Sequence, residues 1–111
     1  MTVLPPLTGH QRRYLRSLAH SLKPVVQVGR SGLTEPVLAE VRLALEHHEL
    51  IKVKVGRDCP VELQDVAAGI EQQTGARVAD SIGHIVIAYK PRPKDPKITL
   101  PKKRRVRAAV E

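Results

Sequence analysis

A single α/β domain built on one mixed four-stranded sheet, with elements in the order α-β-α-β-α-β-β, is the fold the sequence predicts. Three observations predict it. The chain has 111 residues and 41% hydrophobic content, enough for one modest core. Apolar residues recur at helical and at strand spacing in alternation, which implies helices packed on a sheet. Beyond Lys90 the periodicity stops and proline, lysine and arginine dominate. The folded domain is therefore expected over residues 1–91, and an extended basic C-terminal tail over 92–111.

Each element has its own signal. Residues 1–7 contain Pro5 and Pro6 and are expected to be loose. Thr8 and Gln11 fit a capping box. Tyr14, Leu15, Leu18, Ala19 and Leu22 then follow a helical stripe that Pro24 ends, with Arg12, Arg13 and Arg16 on the opposite side. Val25–Val28 is short and β-branched and reads as a buried strand. Thr34 opens a second helix marked by Val37, Leu38, Val41, Ala44 and Leu45, with Glu35 in its first turn and His47 and His48 in its last. Residues 50–55, LIKVKV, alternate: Ile51, Val53 and Val55 face the core, and Lys52 and Lys54 a solvated side. The stretch from Gly56 to Pro60 reads as a turn into a third helix, with Pro60 in its first turn. That helix buries Leu63, Val66, Ala67 and Ile70 and ends at Gly75. Arg77–Ile82 and Ile85–Tyr89 form a hairpin about Gly83.

Charge is distributed unevenly. The net charge is +8, yet residues 1–34 hold five basic side chains and no acid, residues 35–89 sum to −4, and residues 90–111 to +7. This polarity points to an oriented approach to a polyanion. There is no Phe or Trp, and the only aromatic residues besides histidine are Tyr14 and Tyr89. A sheet platform that stacks bases on exposed rings is thereby excluded, so nucleic acid would be gripped by backbone and shape. One cysteine forms no internal disulfide, and no apolar run reaches the roughly 18 residues of a membrane span. The N-terminus lacks the pattern of a secretory signal, so a soluble cytoplasmic protein is expected.

The sharpest local feature is VVQVGRSGLTEPV, residues 25–37. A strand runs into Gly29-Arg30-Ser31-Gly32 and then into a helix start. Backbone amides, the helix dipole, the Arg30 guanidinium and the Ser31 hydroxyl together suit a phosphate. KH domains clamp nucleic-acid backbone with a GxxG loop of this kind. Neither the P-loop pattern nor the dinucleotide fingerprint is present.

Residues 7–55, LTGHQRRYLRSLAHSLKPVVQVGRSGLTEPVLAEVRLALEHHELIKVKV, resemble the CRM domain, named for chloroplast RNA splicing and ribosome maturation, in its small stand-alone YhbY form. The resemblance continues through TGARVADSIGHIVIAYKP, 74–91, and KITLP, 97–101. It implies a fold similar to the C-terminal domain of initiation factor three. It also implies a GxxG loop that contacts RNA, here Gly29, Arg30, Ser31 and Gly32, and association with precursors of the large ribosomal subunit. Where the family carries Lys or Arg after the hairpin glycine, this chain has His84, and its KKRRVR end extends past the family pattern.

The expected RNA contacts are Gly29, Arg30, Ser31 and Gly32 in the loop, Arg12, Arg13, Arg16 and Lys23 around the first helix, and Lys102, Lys103, Arg104 and Arg105 in the tail. His47 and His48 are adjacent, so on a helix they diverge by about 100° and do not suit one metal ion. Cys59, even with His84 nearby, shows no oxyanion arrangement. The expectation is a monomeric, non-catalytic protein of ribosomal RNA without cofactor or membrane contact. The alternatives are a general nucleic-acid binder, or an enzyme that uses the loop to hold a small phosphorylated ligand.

Overall fold

The computed structural model describes residues 6–92, 96 and 98–100. The elements are α1 (Gly9–Ala19), β1 (Val26–Val28), α2 (Glu35–His48), β2 (Leu50–Val55), α3 (Leu63–Thr74), β3 (Arg77–Ile82) and β4 (Ile85–Tyr89), in the expected order. The sheet runs β1-β2-β4-β3. β1 and β2 are parallel, joined through α2, while β4 is antiparallel to both β2 and β3. It is the mixed four-stranded sheet the alternation implies.

Two apolar clusters, one on each face, hold the layers together. On one face Val28, Ile51, Val53 and Val86 meet Val41 and Leu45 of α2 and Val66 and Ile70 of α3. On the other, Leu50, Ala79, Ile87 and Tyr89 meet Leu15 and Ala19 of α1. Burial of this aliphatic surface is the main stabilising term. The helix ends form as their sequences dictate. Thr8 and Gln11 make both bonds of a capping box. Thr34 accepts from Val37 N–H. Gly75 closes α3 in the left-handed conformation, φ 78°.

The structure corrects four sequence readings. β1 is shorter than expected and buries alternate residues only: Val25 is 49% exposed and Gln27 is exposed, because β1 is an edge strand. The Lys52 and Lys54 side of β2 is covered at its Leu50 end by α1 and open only beyond it. Pro60 lies outside α3, which starts at Leu63 with Glu62 as N-cap, so the proline shapes the preceding bend. Leu7, expected in a loose terminus, packs on the α1 cluster.

The stretch after β4 is also held to the body. Glu49, with no exposed surface and φ 62°, accepts Arg92 N–H at 2.8 Å and Ile98 N–H at 2.9 Å on its carboxylate. Ile98 and Leu100 pack on the α1 cluster. Arg92, Ile98 and Leu100, which the sequence reading puts in the tail, thus contact the body. Lys102, Lys103, Arg104 and Arg105 lie outside the described residues.

Candidate nucleic-acid interface

The glycine loop begins where Val28 leaves the sheet. Gly32 N–H donates to Gly29 O at 3.0 Å, closing a tight turn, and Thr34 N–H returns to Gly32 O at 3.0 Å. Gly32 is buried with φ 73°, a conformation that costs a side-chain-bearing residue about 1–2 kcal/mol. Gly29 differs. Its φ is not in that region, and a Cβ there would meet nothing within 4 Å. Between them Arg30 and Ser31 are exposed.

The loop is pinned from behind. Leu33 turns inward against the α2/α3 core. Its Cδ1 lies 2.6 Å from where a Cβ on Gly69 would stand, so the glycine in α3 forms a notch for it. The α2 mouth is less open than the sequence suggests. The Thr34 hydroxyl already takes Val37 N–H, and Glu35 in the first turn brings a negative charge, 3.8 Å from Arg42. The exposed donors are therefore in the loop, one turn ahead of the helix.

Two more connections reach the same end of the sheet. Gly56 N–H donates to Val28 O at 2.8 Å, and Val55 N–H to His84 O at 2.7 Å. The exits of β1 and β2 and the β3–β4 turn thus stand side by side, carrying exposed Arg30, Arg57 and His84. Lys54, opposite Gln27 and Ile85 in the ladder, projects beside them on the α1 face. Lys54 and Arg57 were not singled out from sequence as contacts. Their signal was only the alternation of β2 and the glycine turn after it, and the ladder register is what brings them to the loop.

α1 is joined to β1 by residues 20–25 and packs chiefly on β3, with Arg12 and Arg13 exposed. Arg16 Nη1 is 3.0 Å from Asp80 Oδ2, so this cation is shared with β3. Lys23 sits at the other end of the sheet, on a groove of about 430 Å³ lined by Leu18, Leu22, Val25 and Leu50 among others. Arg12 and Arg13 are exposed, Arg16 is partly engaged by Asp80, and Lys23 lines the groove at the other end of the sheet.

The remaining candidates are placed as follows. His47 and His48 are exposed, with ring centroids 6.2 Å apart. Cys59 is half-buried, its Sγ directed at Val61 O, 3.5 Å away. A second basic cluster lines a cleft of about 730 Å³ with Arg42, Lys90 and Arg92. Two of its cations are committed to the carbonyl end of α3: Arg42 Nη2 donates to Gln73 O at 3.0 Å and Lys90 Nζ to Thr74 O at 2.7 Å. Tyr89 is buried and Tyr14 half-buried, so neither ring offers a stacking platform.

Residues 7–90 match the CRS1 / YhbY (CRM) domain. The chain belongs to the CRM family. Among CRM relatives, a Haemophilus influenzae protein named "RNA-binding protein" is 46% identical over 97 residues, covering 87% of this chain and 97% of the relative. A Bacillus subtilis protein named "Probable RNA-binding protein YqeI" is 38% identical, covering 86% of this chain and 99% of that one. The solution structure of a Staphylococcus aureus protein superposes with a TM-score of 0.74 at 35% identity, over 86% of this chain and 99% of that one. The CRM match spans the glycine loop, α1 and the hairpin alike.

Proposed function

We propose that this protein binds RNA by its sugar–phosphate backbone, with residues 29–32 as the clamp and Arg12 and Arg13 as its extension. The bound RNA belongs to precursors of the large ribosomal subunit, and the protein acts there as a monomeric cytoplasmic assembly factor without catalysis. One observation carries the reading. Gly29 stands in open space with no conformational need for glycine, beside exposed Arg30 and Ser31 and on a turn fixed by Gly32 and Leu33. Such a loop presents bare backbone to a ligand at little entropic cost, since it is ordered beforehand. The names of the CRM relatives support RNA as that ligand. Shared charge without base-reading rings favours recognition of backbone and shape.

The Arg30→Asp, Ser31→Asp double variant keeps both glycines and tests the clamp. Loss of a charge-assisted bond and added repulsion should weaken ribosomal RNA binding by roughly 2–4 kcal/mol with the fold intact. Wild-type affinity in a folded variant would remove the loop from the interface. Competition between ribosomal RNA and duplex DNA at fixed salt separates this reading from general nucleic-acid binding. Crosslinking to RNA in cells, followed by mapping of the contact sites, tests the link to the large subunit. A small phosphorylated ligand is disfavoured by the Glu35 carboxylate and the occupied Val37 amide at the α2 mouth. A mononucleotide Kd well below a millimolar by calorimetry would restore it.

A further inference from the structure

Two adjacent strands of the sheet end in the same way. Residues 26–31 read VQVGRS, and residues 53–58 read VKVGRD. The two runs are parallel and in register, with Val26 beside Val53, Gln27 beside Lys54 and Val28 beside Val55. Each then closes a tight turn that opens on glycine: Gly32 N–H donates to Gly29 O at 3.0 Å, and Cys59 N–H to Gly56 O at 3.1 Å. Arg30 and Ser31 are the corners of the first turn, Arg57 and Asp58 those of the second, and all four are exposed. The turns start one strand spacing apart, about 4.8 Å.

The second turn is held against the first. Gly56 N–H donates to Val28 O at 2.8 Å. A Cβ on Gly56 would stand 3.3 Å from that same oxygen, so glycine lets the two strand exits close up. Behind them Val61 packs on the core, 3.6 Å from where a Cβ on Gly32 would stand. The side chains of Arg30, Arg57 and Asp58 make no hydrogen bond or ion pair among the described residues. The turns differ at one corner only in charge: Ser31 offers a hydroxyl where Asp58 offers a carboxylate.

We propose that the Gly56–Cys59 turn is a second contact for RNA backbone: one RNA strand crosses the ends of β1 and β2, and Arg57 takes a phosphate beside the one held at Arg30. The proposal rests on the clamp reading above. It gives the RNA a path across the strands, from β1 over β2 toward the β3–β4 turn, where the His84 carbonyl accepts Val55 N–H. Two uncommitted guanidiniums on neighbouring turns suit neighbouring phosphates of one strand, each through a charge-assisted bond. Asp58 repels the second phosphate and offsets part of that attraction, so the first turn is the tighter grip and the second the weaker.

The test uses the full chain and four single variants, Arg30→Gln, Arg57→Gln, Asp58→Ser and Lys23→Gln. Each is titrated with a transcript of large-subunit ribosomal RNA at several salt concentrations. Lys23 lies at the other end of the sheet and controls for loss of net charge alone. All four side chains are exposed, so the variants should melt with the wild type. Arg57→Gln should weaken binding roughly fivefold and flatten the salt dependence by about 0.7 log unit, the share of one single-strand phosphate contact. Arg30→Gln should do at least as much. Asp58→Ser makes the second turn match the first and should tighten binding about two- to fivefold. If Arg57→Gln keeps the wild-type slope while Arg30→Gln loses its share, RNA passes the first turn alone; the proposal fails and the clamp reading stands. Unchanged affinity in Asp58→Ser puts the second turn out of reach of phosphate and overturns the proposal too. So does a Lys23→Gln variant that flattens the slope as much as Arg57→Gln, since the effect is then one of net charge. If Arg30→Gln changes nothing in a chain that binds, the clamp reading itself fails, and the paired turn with it.

Discussion

At the scale of single residues, two glycines that look equivalent in sequence have different reasons to be there. Gly32 holds a φ of 73°, and its Cβ would approach Val61 at 3.6 Å. Gly32→Ala should therefore cost about 1–2 kcal/mol of folding stability in a denaturant titration. Gly29→Ala meets no obstacle. Its stability should be unchanged or higher by about 0.4–1 kcal/mol, through the less flexible unfolded chain. Its RNA affinity should nonetheless fall, because a methyl group then stands on the backbone that phosphate approaches. Unchanged affinity would show that RNA does not come close at Gly29. Tyr89 gives a pH signature. Burial, and secondarily the Glu49 charge, raise its pKa above 10.0 in the folded state. As pH rises past that ordinary value the unfolded chain releases the proton first, so stability present below about pH 10 is lost as pH climbs through the folded value. Tyr89→Phe should lack this share of the alkaline loss when both proteins are unfolded by urea between about pH 8 and 11; parallel curves would uncouple Tyr89 from folding. The sequence displayed the glycine spacing but not which glycine the backbone requires. Glu49 was invisible, because a glutamate after a helix has no pattern that announces left-handed φ or full burial.

At the scale of elements the local rules were sufficient wherever the partner is local. Both Thr caps, the Gly75 end and the Gly83 hairpin are set by neighbours a few residues away, and all stand where sequence placed them. The readings that failed depend on distant chain. Whether Val25 is buried is decided by β1 being an edge, and whether Lys52 is solvated is decided by where α1 lies. The same distinction divides the arginines of α1. Arg12 and Arg13 are exposed, while Arg16 is 3.0 Å from Asp80. Changing Arg12 and Arg13 together to Gln should lower the salt dependence of RNA binding by about 0.7 log unit for each lost single-strand phosphate contact. Arg16→Gln should change the slope less, and its stability cost should stay within about 1 kcal/mol because the pair is solvent-accessible. A slope change for Arg16→Gln equal to the per-residue change in the Arg12, Arg13 double variant would mean that Asp80 does not hold Arg16 away from RNA.

At the scale of the whole molecule, the number, kind and order of elements were legible in the sequence, while the strand order and the contacts made after β4 were not. The bonds to Glu49 join residues 43 and 49 positions apart and use backbone amides, which every sequence contains. Their importance shows in truncation. Ending the chain at Pro101 keeps Ile98 and Leu100, so it should melt within a few degrees of the full protein. Ending it at Pro91 removes both amides from the buried carboxylate and two apolar anchors, and should cost about 2–4 kcal/mol in chemical denaturation. Equal stability of the two shortened chains would make the anchor energetically idle. The sheet order β1-β2-β4-β3 has a consequence for synthesis as well. The strand made last is inserted at the centre, between β2 and β3. A nascent chain that has emerged only as far as Gly83 exposes the edge of β2 that awaits β4, and with it an unfinished apolar layer. Such an edge pairs readily with other chains. That exposure ends only when residues 85–89 pair with both β2 and β3 and complete the apolar layers on the two faces of the sheet.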